Sequence, residues 1–285
     1  MSPDNGKEPS LADHIATFVA SRKPLPRSDG HAPFVVGLCG AQGIGKSTVA
    51  VAAAGQLRAK GFSTQILALD DLYLPRRDRL ALAAEVHPLL ATRGVPGTHD
   101  AHLGRSLIQA AQTEGQVVFP AFDKALDDRL PASAWPVIEP PLDIILLEGW
   151  CIGARPQSEA ALAPPMNDLE RYGDADGLWR RYVNDRLADE YQRLFSCLDL
   201  LILLAAPNFE VVARWRNQQE EQLKAHLASD PTAARRTMSQ DQIDHFILHY
   251  ERLTRHILDE MPNRADLVFH LDPERRVTRI RVNPA

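Results

Sequence analysis

Hydrophobic residues in this chain fall into short, nearly continuous runs, separated by stretches in which they recur every three or four positions. The runs are Phe34 to Cys39, Gln65 to Leu69, Leu142 to Leu147, Leu200 to Ala205 and Leu267 to Leu271. Apolar runs of this length, bounded by polar or glycine-rich turns, predict strands buried on both faces. The stretches between them predict helices. Lys46 to Lys60 is alanine-rich and closed by Gly61, Phe209 to Ala228 follows the fourth run, and Gln240 to Met261 precedes the fifth. In the last of these, Ile243, Phe246, Ile247, Tyr250, Leu253 and Ile257 share one face. Another helix is predicted before the fourth run, with Leu187, Tyr191, Leu194 and Phe195 in the core. Near the start, Ser10 and Asp13 fit a capping box, and Leu11, Ile15 and Phe18 recur on one face of a helix over 10–20.

Strands alternating with helices predict an α/β fold with a mostly parallel, five-stranded sheet and helices on both faces. Residues 1–33 read as a tail, a short helix and a linker carrying Pro24, Pro26 and Gly30. Residues 34–285 read as one domain. A substrate-side insertion at about 72–141 and lid and C-terminal helices at about 208–261 are expected within it.

Composition narrows the class. The chain has 285 residues, 45% hydrophobic and 24% charged, with a net charge of −5. That balance excludes disordered and collagen-like chains, and no global basic field invites nucleic acid or an anionic membrane. The apolar runs are far shorter than the ~20 residues that span a bilayer. Cys39, Cys151 and Cys197 are widely spaced and form no zinc or CxxC pattern. Reduced thiols and a cytoplasmic location are therefore expected.

The strongest chemical signal is Gly40-Ala41-Gln42-Gly43-Ile44-Gly45-Lys46-Ser47, followed by Thr48. It satisfies GxxxxGK[ST] and lies between a predicted strand and a predicted helix, the context of a phosphate-binding loop in a three-layer P-loop NTPase fold. Glycines let backbone N–H groups turn towards phosphate oxygens. Lys46 would reach the β and γ oxygens of ATP, and Ser47 would offer an oxygen to Mg²⁺. Ligands bind beyond the carboxyl ends of parallel strands, where Asp70, Asp71 and Glu148 stand. Asp70 is the candidate base, with metal contact open to it. Glu148 belongs to the Mg²⁺ shell, and Asp71 is expected to point away, as alternate strand residues do.

These segments resemble the D-glycerate 3-kinase family of P-loop kinases, relatives of uridine kinases and phosphoribulokinase. The resemblance is carried by Gly40 to Thr48, Leu69 to Leu74 (Leu-Asp-Asp-Leu-Tyr-Leu), Arg93 to Asp100 (Arg-Gly-Val-Pro-Gly-Thr-His-Asp), Phe122-Asp123-Lys124 with Asp128-Arg129, and Glu148-Gly149-Trp150. Arg214-Trp215-Arg216 and the segment from Met238 to Tyr250 extend it over roughly residues 34 to 260. It implies transfer of the ATP γ-phosphate to a small hydroxy acid, D-glycerate giving 3-phosphoglycerate. It also implies an acceptor site drawn from Asp70, Tyr73, Arg93, Thr98, His99, Asp100, Lys124 and Arg129. Cationic forks suit a carboxylate. Arg214 and Arg216 would act from a lid, although two positions apart they cannot share a helix face. A P-loop kinase for another acceptor, such as a nucleoside, sugar or pantothenate-like molecule, and a nucleotide-dependent switch acting through a protein partner stay open at this point. So does the oligomeric state.

Three weaker features are read as ordinary structure. His245 and His249, four apart, are expected to be exposed helix residues rather than a metal pair. Pro75 to Arg79 is expected to be a solvated basic loop. Cys39 is expected in the core.

Overall fold

The computed structural model describes residues 9–22, 32–112, 115–227 and 239–284, with only the backbone within 222–227. The linker prolines, Ala228 and Met238 lie outside the described residues. The sheet contains β1 (Phe34–Gly40), β2 (Thr64–Ala68), β3 (Ile144–Gly149), β4 (Leu200–Ala205), β5 (Leu267–Leu271) and β6 (Val277–Val282). Their spatial order is β6-β5-β4-β1-β3-β2. β2, β3, β1, β4 and β5 pair in parallel, as the apolar runs predict.

The sixth strand corrects the five-stranded expectation. β6 returns antiparallel along β5 as an edge hairpin. Its sequence, Val-Thr-Arg-Ile-Arg-Val, is exposed along most of its length, so it never forms the continuous apolar run of a central strand. Every residue of β3 and β4 is buried, as a sheet covered on both faces requires.

The main helices are α1 (Leu11–Arg22), α2 (Lys46–Ala59), α3 (Arg76–Glu85), α4 (Ala101–Ala110), α5 (Leu178–Arg186), α6 (Phe209–Leu227) and α7 (Gln240–Glu260). Helical backbone continues beyond α5 through Phe195, burying Leu187, Tyr191, Leu194 and Phe195 as expected. α1 is closed by the Ser10–Asp13 box. It buries Ala12, Ile15, Ala16 and Val19 in the same core as the sheet, against α2. Gly61, at φ 90°, ends α2: its N–H bonds Arg58 O, and the Phe62 N–H bonds Leu57 O. α7 begins at a capping box formed by Ser239 and Gln242 and buries Ile243, Ile247, Tyr250, Leu253 and Ile257.

Candidate active site

Three strand ends build the site. β1 runs into the glycine loop, where Gly43 (φ 72°) and Gly45 (φ 94°) adopt left-handed backbone that a side chain would strain. A Cβ on Gly43 would stand 2.8 Å from the backbone of Trp215, so α6 rests directly on the loop. Gly45 caps α2 without a side chain, leaving the first amides of that helix to an anion. Ala41 and Ile44 are buried beneath the loop, Gln42 and Lys46 are half-buried, and Ser47 and Thr48 are exposed.

Arg275 had no signal in the sequence, being an arginine in a polar hairpin far along the chain. Its Nε donates to Gly43 O at 2.8 Å while its guanidinium lies over the Trp215 ring at 4.9 Å. Trp215 in turn donates to Pro273 O at 2.7 Å. The β5–β6 turn therefore braces the phosphate loop.

β3 delivers Glu148, which is buried, and the Ser47 hydroxyl donates to its Oε1 at 2.7 Å. This pair of oxygens beside the loop is a donor set suited to a hard divalent cation, whose remaining ligands would be phosphate oxygens and water. Asp70 does not end a strand. β2 stops at Ala68, and Asp70 and Asp71 stand in a single 3-10 turn, Leu69–Leu72. Asp71 does turn away, but through that turn's rotation rather than strand alternation. It accepts from Phe122 N at 3.1 Å, and burial raises its pKa.

Asp70 meets Lys124, whose Nζ lies 2.5 Å from Oδ2. Burial by itself would raise the Asp70 pKa; Lys124 and Lys46 outweigh it and hold the carboxyl well below the usual range. Asp70 is thus an ionised carboxylate between the phosphate loop and the insertion.

The insertion is folded back on this edge by Tyr73 and His99. Their backbones form a bridge, and their rings stack at 4.3 Å. The Tyr191 hydroxyl lies 2.6 Å from His99 Nδ1 and accepts from Gly97 N at 3.2 Å. Burial lowers the His99 pKa to about 3, so the ring is neutral at physiological pH. Tyr250 donates to Arg93 O at 3.1 Å, and Trp150 Nε1 donates to Gly94 O at 2.8 Å. Gly94 (φ 137°) faces the Tyr250 hydroxyl so closely that no side chain fits. Tyr191, Tyr250 and Trp150 hold the Arg93–Asp100 loop from behind; buried aromatics at helical or strand spacing gave no sign of that role.

Several expected acceptor contacts prove to be spent inside the fold. The Thr98 hydroxyl, fully buried, donates to Val95 O at 2.7 Å and accepts from Gly94 N at 3.0 Å, closing its own turn. Asp100 caps α4 by accepting from Leu103 N at 2.9 Å. Arg129 donates to Tyr73 O at 3.0 Å and Leu72 O at 3.1 Å. Arg93 pairs with Asp127. These four shape the site, whereas Asp70, Lys124 and Tyr73 are brought together at the phosphate edge with buried His99 stacked behind.

On α6, Arg216 pairs with Glu220 at 2.9 Å and lies 5.7 Å over the Phe246 ring. Arg214 is exposed, and after burial its charge is the next cause lowering the Arg275 pKa. The two therefore point to different sides, as their spacing requires. Two readings are corrected. Pro75 to Arg79 leads into α3, and Arg79 is completely buried, donating to Leu74 O, Ala91 O and Asp127 O. His249 is buried rather than exposed, with its pKa lowered to about 4 by burial and then by His245. Cys39 is buried as expected, donating to Trp150 O at 3.3 Å.

A phosphate loop on a parallel sheet, with Ser47, Glu148 and Asp70 around it, defines a P-loop phosphotransferase. No family model matches the chain. It is 32% identical over 274 residues to the uncharacterized kinase mug58 of Schizosaccharomyces pombe, covering 92% of each. It is 27% identical over 228 residues to the chloroplastic D-glycerate 3-kinase of Arabidopsis thaliana, covering 76% of this chain and 46% of that one. The solved D-glycerate 3-kinase of Cryptococcus neoformans superposes with a TM-score of 0.76 at 23% identity, over 96% of this chain and 99% of that one. The chain belongs to the same kinase family as the Schizosaccharomyces pombe protein, and it is a P-loop kinase similar to D-glycerate 3-kinases.

Proposed function

We propose that this protein transfers the γ-phosphoryl group of ATP, with Mg²⁺, to a hydroxyl of a small hydroxy acid, and that D-glycerate is that acid. The observation that carries the reading is the ionised Asp70 between Lys46 on the nucleotide side and Lys124 on the acceptor side. Loop amides and Lys46 bind the phosphates. Ser47 and Glu148 hold the metal, which when bound draws charge from the phosphate oxygens. Asp70 accepts the acceptor hydroxyl's proton, so the oxygen attacks phosphorus as ADP leaves. Lys124 faces the acid's carboxylate, while Arg93, held by Asp127, and buried His99 shape the wall behind it. Arg214 and Arg216 supply positive charge from α6.

Positioning and charge supply most of the rate in such a site, because the phosphoryl group needs little covalent help. The three free cysteines, two of them buried, fit a reducing, cytoplasmic compartment. Among the described residues no helix is long and apolar enough to cross a membrane. The names of the Arabidopsis and Cryptococcus relatives support D-glycerate as acceptor.

The test is ADP release from Mg-ATP with D-glycerate, L-glycerate, uridine, pantothenate or no acceptor. Dependence on D-glycerate is expected. Equal turnover with uridine or pantothenate would discard the acid and keep the kinase. Turnover independent of every acceptor would favour a nucleotide switch.

A further inference from the structure

We propose that Lys124 is a substrate-operated lock on Asp70: without acceptor its ammonium occupies the carboxylate and keeps water from being activated, and the acceptor's own carboxylate draws it away. The proposal rests on the kinase reading above and adds to it a device against wasteful ATP hydrolysis.

The first support is placement. Lys124 Nζ sits 2.5 Å from Asp70 Oδ2 and so occupies one oxygen of that carboxylate. The second is a contrast in freedom along the hairpin that carries it, formed by the short strands Phe122–Asp123 and Asp128–Arg129. Its backbone is fastened from several sides. Buried Arg79 donates to Asp127 O at 2.7 Å, and Arg76 N donates to Asp128 Oδ1 at 2.9 Å. Asp123 Oδ1 accepts from Ala125 N at 2.7 Å and Leu126 N at 3.0 Å. Against this fixed frame the Lys124 side chain is 62% exposed. The side chain, not the loop, is the moving part.

The third support is what an incoming carboxylate would find. Arg79, Arg93 and Arg129 are engaged with backbone carbonyls or Asp127. Among the described residues Lys124's ammonium meets one partner, Asp70, through an ion pair whose lysine end is open to solvent. Swapping the Asp70 carboxylate for the substrate's carboxylate conserves the charge pairing. It also leaves Asp70 with an unoccupied oxygen that can face the acceptor hydroxyl.

The chemistry then divides cleanly. With the lock open and acceptor bound, the acceptor hydroxyl gives its proton to Asp70, its oxygen bonds to the γ-phosphorus, and the bond to the bridging oxygen breaks to release ADP. With the lock open and no acceptor, water would take the same course and give inorganic phosphate. A closed lock denies water that base.

The experiment uses the full chain and follows ADP and inorganic phosphate without acceptor, and phosphorylated product with D-glycerate. Lys124→Met is expected to hydrolyse ATP at least fivefold faster than the unaltered protein while transferring more slowly. Adding Asp70→Asn to it is expected to abolish the excess. Propionate, a carboxylate with no hydroxyl to phosphorylate, is expected to stimulate hydrolysis by the unaltered protein, whereas glycerol is not. The propionate arm needs no variant to fold. Hydrolysis by Lys124→Met no faster than normal, at unchanged melting temperature and ATP affinity, would overturn the lock, as would a propionate effect of nil. Absence of acceptor-dependent transfer by the unaltered protein is a separate result, and it would overturn the kinase reading instead.

Discussion

The phosphate edge and the acceptor side of this site are assembled in opposite ways. The first is one unbroken stretch, Gly40 to Thr48, whose chemistry is mostly backbone, with Glu148 brought beside Ser47 by the neighbouring strand. The second gathers side chains from the Leu69–Leu72 turn, the loop before α4, the short hairpin and α7. Most of its charged groups are spent holding one another. Arg79, Arg129, Asp100 and Thr98 fix the insertion; Lys124 and Asp70 are left to meet a ligand. Similar residue types do different work according to whether the fold has already used their hydrogen bonds.

The largest effect that sharpens this contrast is expected at Asp70. Asp70→Asn should lower kcat by roughly 10²–10⁴-fold, the usual worth of a positioned base, with ATP affinity nearly unchanged. Stopped-flow turnover alongside nucleotide titration checks it, and equal loss of both would merge the two regions into one.

Next in size is the difference between the two acceptor-side cations. Arg129→Ala removes donors from the carbonyls of Leu72 and Tyr73 and leaves Asp100 without its neighbour. A destabilisation of about 2–4 kcal/mol is expected, read by denaturant titration. Lys124→Ala removes a half-exposed ion pair and leaves Asp70 still facing Lys46, so it should cost about 1 kcal/mol, less than Arg129→Ala. Equal costs would break the distinction between frame and ligand-facing charge.

The smallest effect is a pH dependence. His99 and His249 are buried with pKa values lowered to about 3 and about 4, while unfolded histidine titrates near its ordinary value of 6.5. Between those values the unfolded chain binds protons that the folded chain refuses, so stability falls as pH drops from about 6.5 towards 4. His249→Asn should flatten that slope in melting curves taken across this range. An unchanged slope would show that His249 does not contribute to it.

The five parallel strands and the phosphate loop were legible because each is local: an apolar run, a glycine spacing, a helix after it. β6 was not, since an exposed edge strand lacks the run, and Arg279 and Arg281 interrupt its pattern. Asp70 was found for its place near a strand end, yet it stands in a 3-10 turn, which a five-residue strand gives no means to foresee. Residues whose role depends on distant partners stayed hidden. Arg275 bracing Gly43, and Tyr191 against His99, join segments far apart in the chain. Arg79 looked like solvated charge because nothing in a basic cluster reveals three carbonyls waiting for it.

The central claim is that the γ-phosphoryl group goes to the hydroxyl of a small acid rather than to water. Phosphorus NMR of one reaction containing Mg-ATP and D-glycerate follows that group directly. A phosphomonoester signal matching 3-phosphoglycerate, growing in step with ADP and with little inorganic phosphate, is the predicted result. Inorganic phosphate growing alone in step with ADP would contradict the account.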